Sequence, residues 1–150
     1  MYEFFVSRFF KSVLFTTAFL IYAYVASGQT KAEIDAHKRL WNTPAWADTL
    51  TNPLSHQAAA ADSGKALYMR MCTVCHGATG KGDGIGAAGL PVQPADHTSA
   101  IVQSQTEGAL FYELSNGHTS MPAYKNTLTA KQRWELVCFI KTLKKTSYNK

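Results

Sequence analysis

Apolar positions along the chain fall into two patterns, and each predicts a different element. From Ser12 to Ala26 the stretch SVLFTTAFLIYAYVA is apolar and carries no charge, yet it is shorter than the roughly 20 residues a bilayer-spanning helix needs. Beyond it, apolar residues recur at helical spacing. Leu136, Phe139, Ile140 and Leu143 form one stripe. That helix is opened by the capping box Thr129-Ala-Lys-Gln132, with Lys141, Lys144 and Lys145 near its C-terminus, where they suit the helix dipole. A second helix carries Leu110, Phe111 and Leu114, with Ser104-Gln-Thr-Glu107 as its capping box and Asn116-Gly117 as its stop. A third starts at a cap on Asp62 or Ser63 and runs toward Cys72, placing Gly64 and Tyr68 on one face. No strand-rich region accompanies them, so an all-α fold is expected.

The first 28 residues are expected to be an address. Arg8 and Lys11 flank the apolar run, and Ala26, Ser27 and Gly28 follow it, as at a signal-peptidase site. Cleavage around Gly28 is the favoured reading. An uncleaved membrane anchor, lengthened by Phe4, Phe5, Phe9 and Phe10, is the alternative. Either way the remainder is exported, and a periplasmic location is expected. The division that follows is residues 1–28 as signal peptide or anchor, 29–61 as a linker or N-terminal extension, 62–146 as the domain, and 147–150 as a tail. The extension holds Trp41-Asn-Thr-Pro-Ala-Trp46, Asn52-Pro53 and Ala58–Ala61. It is expected to pack on the domain, over the Trp134 side of the last helix. A docking arm or a tether is the functional alternative.

Composition narrows the classes. With 150 residues, 46% hydrophobic and 17% charged, the chain suits one globular domain plus an appendage and excludes a disordered or polytopic membrane protein. The net charge of +5 is spread along the chain rather than blocked, so a nucleic-acid partner is not expected. Such a charge steers a protein toward acidic partner surfaces.

Three cysteines are too few for a disulfide scaffold. The pair in Cys72-Thr-Val-Cys75-His76 fits three chemistries unequally. Structural zinc needs four ligands, whereas the other cysteine, Cys138, brings no His-x3–5-His pair with it. A thioredoxin-type pair needs a preceding strand, and Ser63 to Met71 reads as helix. Covalent haem attachment uses Cys-x-x-Cys-His directly: two thiols add to the porphyrin vinyl groups, and the adjacent histidine becomes an axial ligand. Haem c on Cys72, Cys75 and His76 is therefore expected.

Taken with Gly64-Lys-Ala-Leu-Tyr68, Gly80-Lys-Gly-Asp-Gly84, Gly117-His-Thr-Ser-Met121-Pro122 and Arg133-Trp-Glu-Leu-Val-Cys-Phe-Ile140, the pentapeptide resembles the class I c-type cytochromes, in particular the small bacterial single-haem domains. The resemblance covers about residues 62–145. It implies a cytochrome c fold, with three to five helices wrapped around one covalently attached haem. It implies that the first and last helices cross at Gly64, with Tyr68 and Phe139 as the aromatic pair. It also implies that a proline carbonyl accepts the His76 N–H, with Pro94 as the expected residue. Met121 is the expected sixth ligand: it lies 45 residues beyond His76, Pro122 restricts it to extended backbone, and Met-Pro matches the family's distal motif. Met69 and Met71 lie too close to Cys72 to reach the other haem face. His118 and His97 are its rivals, though both read as solvent-facing loop residues, and His37 and His56 as exposed.

Two further signals are set aside. Gly84-Ile-Gly86-Ala-Ala-Gly89 matches a dinucleotide fingerprint but lacks the strand before it. Its glycines read as a tight turn at the haem edge. Cys138 reads as a small, inert helix residue, with an intermolecular disulfide as the functional alternative.

The expected function is one-electron transfer by a single-haem cytochrome with no substrate-converting site. The donor class is a quinol- or substrate-oxidising complex and the acceptor class a terminal oxidase. The alternatives are a fixed haem subunit of a respiratory or dehydrogenase complex, and a haem sensor or enzyme with an open distal site.

Overall fold

The computed structural model describes residues 31–55 and 57–144. The expected leader, residues 1–28, lies outside the described residues, as do His56, Lys145 and the expected tail. Six α-helical segments and three single-turn 3-10 helices make up the regular structure of the described residues, which contain no strand. The helices are α1 (31–40), α2 (Ala58–Met71), α3 (Thr73–His76), α4 (Ala100–Ser104), α5 (Glu107–Asn116) and α6 (Ala130–Thr142). Among the described residues no helix is long and apolar enough to cross a membrane.

Helix α2 begins earlier than the cap at Asp62 or Ser63 predicts. Its N-cap is Gln57, with no side-chain cap bond. The Ala58–Ala61 run, made of the best helix former, extends the helix by a turn without needing one. Its buried residues Ala60, Gly64, Leu67 and Tyr68 form a single stripe. Helix α5 also departs from expectation: Ser104 ends α4, and the cap is Thr106, whose hydroxyl accepts from the Ala109 amide at 3.1 Å. The Thr129–Gln132 capping box of α6 is present with both of its bonds. Lys144 lies past the end of α6, so Lys141 alone among the described lysines occupies its last turn.

Helices α2 and α6 cross at Gly64. A Cβ there would lie 1.9 Å from the Glu135 carbonyl oxygen, so the two backbones meet where glycine leaves room. Gly64→Ala should force the helices apart. Overpacking of this kind costs about 1–3 kcal/mol, which outweighs the gain from a better helix former. The urea midpoint of the variant is expected to fall, whereas Gly89→Ala, with no atom within 4 Å of the added carbon, should leave it unchanged.

Helix α6 is buried continuously from Trp134 to Ile140, which one packed face does not explain. The Leu136, Phe139 and Ile140 face meets the main core. On another side Trp134 stacks on Phe111 of α5 at 3.9 Å, and Asn52 and Leu54 cover Cys138. Residues 31–55 thus pack as a strap whose main seat is α5. The 3-10 turn Ala45–Thr49 lies against α5, where Gly108 lets the Ala47 carbonyl approach to a distance that a side chain would block. Thr43 donates to Glu113 at 2.9 Å, Lys38 Nζ contacts both Asp48 oxygens at 2.6 Å, and Trp46 meets Tyr112 edge-on. The Lys38 ammonium holds the Asp48 carboxyl below its usual range.

Candidate haem site

Helix α3 is the pentapeptide itself. Its last carbonyls would be unpaired, and the glycine-rich loop satisfies them: Gly82 donates to His76 O at 2.9 Å, Gly84 to Cys75 O at 3.0 Å and Gly86 to Val74 O at 2.7 Å. The G-x-G-x-x-G match is thereby explained as a cap on α3, and the loop lies against it closely enough that a Cβ on Gly84 would fall 2.4 Å from Val74 O.

His76 Nδ1 donates to the carbonyl of Ala95 at 3.0 Å. The expected acceptor was Pro94, one residue earlier. The Pro94 carbonyl is instead the atom that faces Gly82. With Nδ1 engaged, Nε2 is the nitrogen left to bind a metal. Burial lowers the His76 pKa, opposed by the Ala95 bond. Burial thus favours the neutral ring, the form in which a histidine binds a metal.

Met121 is placed by a tight loop. Gly117 ends α5, and His118 and Met121 exchange backbone bonds of 2.8 and 3.0 Å. This reciprocal pair holds the chain around Thr119, a non-glycine residue at φ 51°.

Cys72, Cys75, His76 and Met121 all line one cavity of about 380 Å³, within the range of small-molecule and cofactor sites, about 300–1,000 Å³. Leu40, Trp41, Met71, Leu90, Val92, Pro94 and Tyr124 supply most of its apolar wall. A smaller cavity of about 50 Å³ shares Cys72, His76 and Met121 with it. The donor set of one imidazole nitrogen, one thioether and two thiols, inside an apolar crevice, fits a covalently attached haem. It does not suit a redox dithiol. Burial and the neighbouring Cys75 push the Cys72 thiol up to about 12, whereas a reactive thiol needs a lowered pKa.

A family model described as "Cytochrome C oxidase, cbb3-type, subunit III" matches residues 59–140. The chain belongs to this family of c-type cytochrome domains. The all-α cytochrome c fold expected from the motifs is the fold observed. No curated protein matches the chain. Among solved structures it is similar to a chain of the Kuenenia stuttgartiensis reducing HAO-like protein complex, at TM-score 0.56 and 24% identity over 64% of this chain and 50% of that one. At that identity the likeness shows the fold, and the chain spans half of its neighbour's length. Membership makes this a cytochrome c domain of a haem electron-transfer family.

Three histidines, two in the cytochrome domain and one in the extension before it, are not where sequence reasoning put them. His97, expected in solvent, is 8% exposed. It stacks on His76 with centroids 4.1 Å apart and is hydrogen-bonded through Nδ1 to the Tyr68 hydroxyl at 3.0 Å. Burial, then the adjacent His76, lower its pKa to about 3, so it is neutral at ordinary pH. His37, expected to be exposed, contacts Glu113 at 3.2 Å and lines the cavity. His118 is half-buried against Trp41, which also stacks on His37. Glu113 and Gln105, buried on the α5 side of the crevice, were missed altogether. The signal for Glu113 was its place among Leu110, Leu114 and other buried positions of α5, where a charged residue requires a partner.

Proposed function

We propose that this chain is a single-haem c-type cytochrome that passes one electron at a time between larger redox proteins outside the cytoplasm. The convergence of Cys72, Cys75, His76 and Met121 on one cavity carries the reading. In it Cys72 and Cys75 would hold the haem through thioether bonds, and His76 and Met121 would ligate its iron. The bound haem supplies the ferric–ferrous couple. The chain's own work is to present His76 in one orientation through the Ala95 carbonyl, to present Met121 through its paired turn, and to exclude water with the apolar wall. Such a role requires no general acid, base or nucleophile. The net charge of +5 favours acidic docking surfaces, on a quinol- or substrate-oxidising donor and on a terminal oxidase as acceptor.

A spectroelectrochemical titration tests this. A reversible one-electron wave at positive potential, with the ferric thioether–iron charge-transfer band, is the expected result. Met121→Ala should keep covalent haem and lower the potential, because methionine ligation raises it. An unchanged potential in that variant, or rapid carbon monoxide binding by the ferrous wild type, would refute Met121 ligation and bring an open-site sensor or enzyme forward.

The second reading is a fixed subunit of a larger complex. The family description, an oxidase subunit, and the structural neighbour, a chain of a protein complex, favour it. Intact-mass analysis separates the two: a retained segment 1–28 counts against a freely diffusing periplasmic carrier and for an anchored one.

A further inference from the structure

Gln105 stands at the end of α4, directly before the Thr106 cap of α5. Its backbone is pinned from α6, where Lys141 Nζ donates to the carbonyls of Gln103 at 2.6 Å and Gln105 at 3.0 Å. The side chain is 2% exposed, and neither its amide nitrogen nor its amide oxygen has a hydrogen-bond partner. Buried amides are almost always satisfied in native proteins. Gln105 lines the smaller cavity together with Cys72, His76 and Met121. The other buried polar side chains on that wall are already engaged: His97 with Tyr68, and Glu113 with both His37 and Thr43. Among the side chains lining this cavity, Gln105 is the one whose polar atoms are buried without a partner, and its neutral amide offers two N–H donors and one acceptor.

We propose that the Gln105 amide donates an N–H to a propionate carboxylate of the haem, fixing how deeply and in which orientation the porphyrin is held. The inference rests on the haem reading of the crevice. A porphyrin is apolar except at its iron and its two carboxylates, so a buried donor that the iron ligands do not use has the carboxylates as its partner. A neutral amide is suited to that place. The carboxylate of Glu113 on the same wall would repel a propionate, and its oxygens are already in contact with His37 and Thr43. The fixed backbone from Gln103 to Gln105 gives the amide a defined position.

The test uses the full chain carrying covalent haem, as wild type, Gln105→Leu and Gln105→Met. The methionine variant matches glutamine in length and keeps the site filled if leucine disturbs packing. Resonance Raman spectra report the propionate bending band directly. Both variants are expected to shift that band and to melt at a lower temperature than wild type. An unshifted band overturns the proposal, and it would be accompanied by equal or higher melting temperatures, because removing an unpaired or water-bound amide costs the fold nothing. A wild-type chain without haem would instead sink the haem reading itself. Pyridine haemochrome assay of the same samples tells the two failures apart.

Discussion

Replacing Cys72 and Cys75 together with alanine should abolish covalent haem attachment and leave a chain that does not hold its native fold. The thiols stand on the wall of the 380 Å³ cavity, and in the proposed function they are the only covalent links to its contents. Without the haem, the apolar wall encloses nothing. At about 24 cal/mol per Å³, such a void corresponds to roughly 9 kcal/mol. This is an upper figure, since the crevice opens to solvent and can partly collapse. Domain stabilities are only about 5–15 kcal/mol, so the full loss lies within that range and half of it approaches its lower end. Denaturing gels stained for haem and far-ultraviolet circular dichroism should show no covalent haem and reduced helicity. Either single substitution retains one thioether and should keep some stain. Haem that stays bound through denaturation in the double variant would place the attachment on other residues.

The second large effect is expected at Tyr68. Its side chain is fully buried, packs on Phe139 with centroids 5.0 Å apart and carries the hydrogen bond to His97. Tyr68→Ala opens a cavity between α2 and α6 and should cost about 3–5 kcal/mol. Tyr68→Phe keeps the ring and removes only the hydroxyl, leaving His97 Nδ1 buried without its partner, at about 1–3 kcal/mol. Urea denaturation followed by circular dichroism should rank wild type above Tyr68→Phe, and Tyr68→Phe above Tyr68→Ala. Coincident midpoints for the two variants would mean that the ring packing contributes little and the hydroxyl most of the effect. Because His97 stacks on His76, the phenylalanine variant should also change the reduction potential of the loaded protein, which a purely structural tyrosine would leave alone.

What the amino-acid sequence determined by itself was local. The Cys72–His76 pentapeptide, the Thr129 capping box and the stripes of α2, α5 and α6 are each written within a few turns of chain. Short-range spacing and capping chemistry suffice to read them. Tertiary structure decided which polar groups surround the crevice. His37 meets Glu113 across 76 positions, Thr43 meets Glu113 across 70, and Asn52 meets Cys138 across 86. No periodicity encodes such pairs. A histidine with no apolar pattern around it reads as exposed until another element meets it, as Glu113 of α5 meets His37 of α1 and as Tyr68 and His76 enclose His97. The burial of Cys138 has the same origin, for its side of α6 is closed by Asn52 and Leu54 of the strap. The carbonyl that orients His76 shifted from Pro94 to Ala95 because a backbone acceptor is chosen by where the folded loop runs, which side-chain identity does not specify.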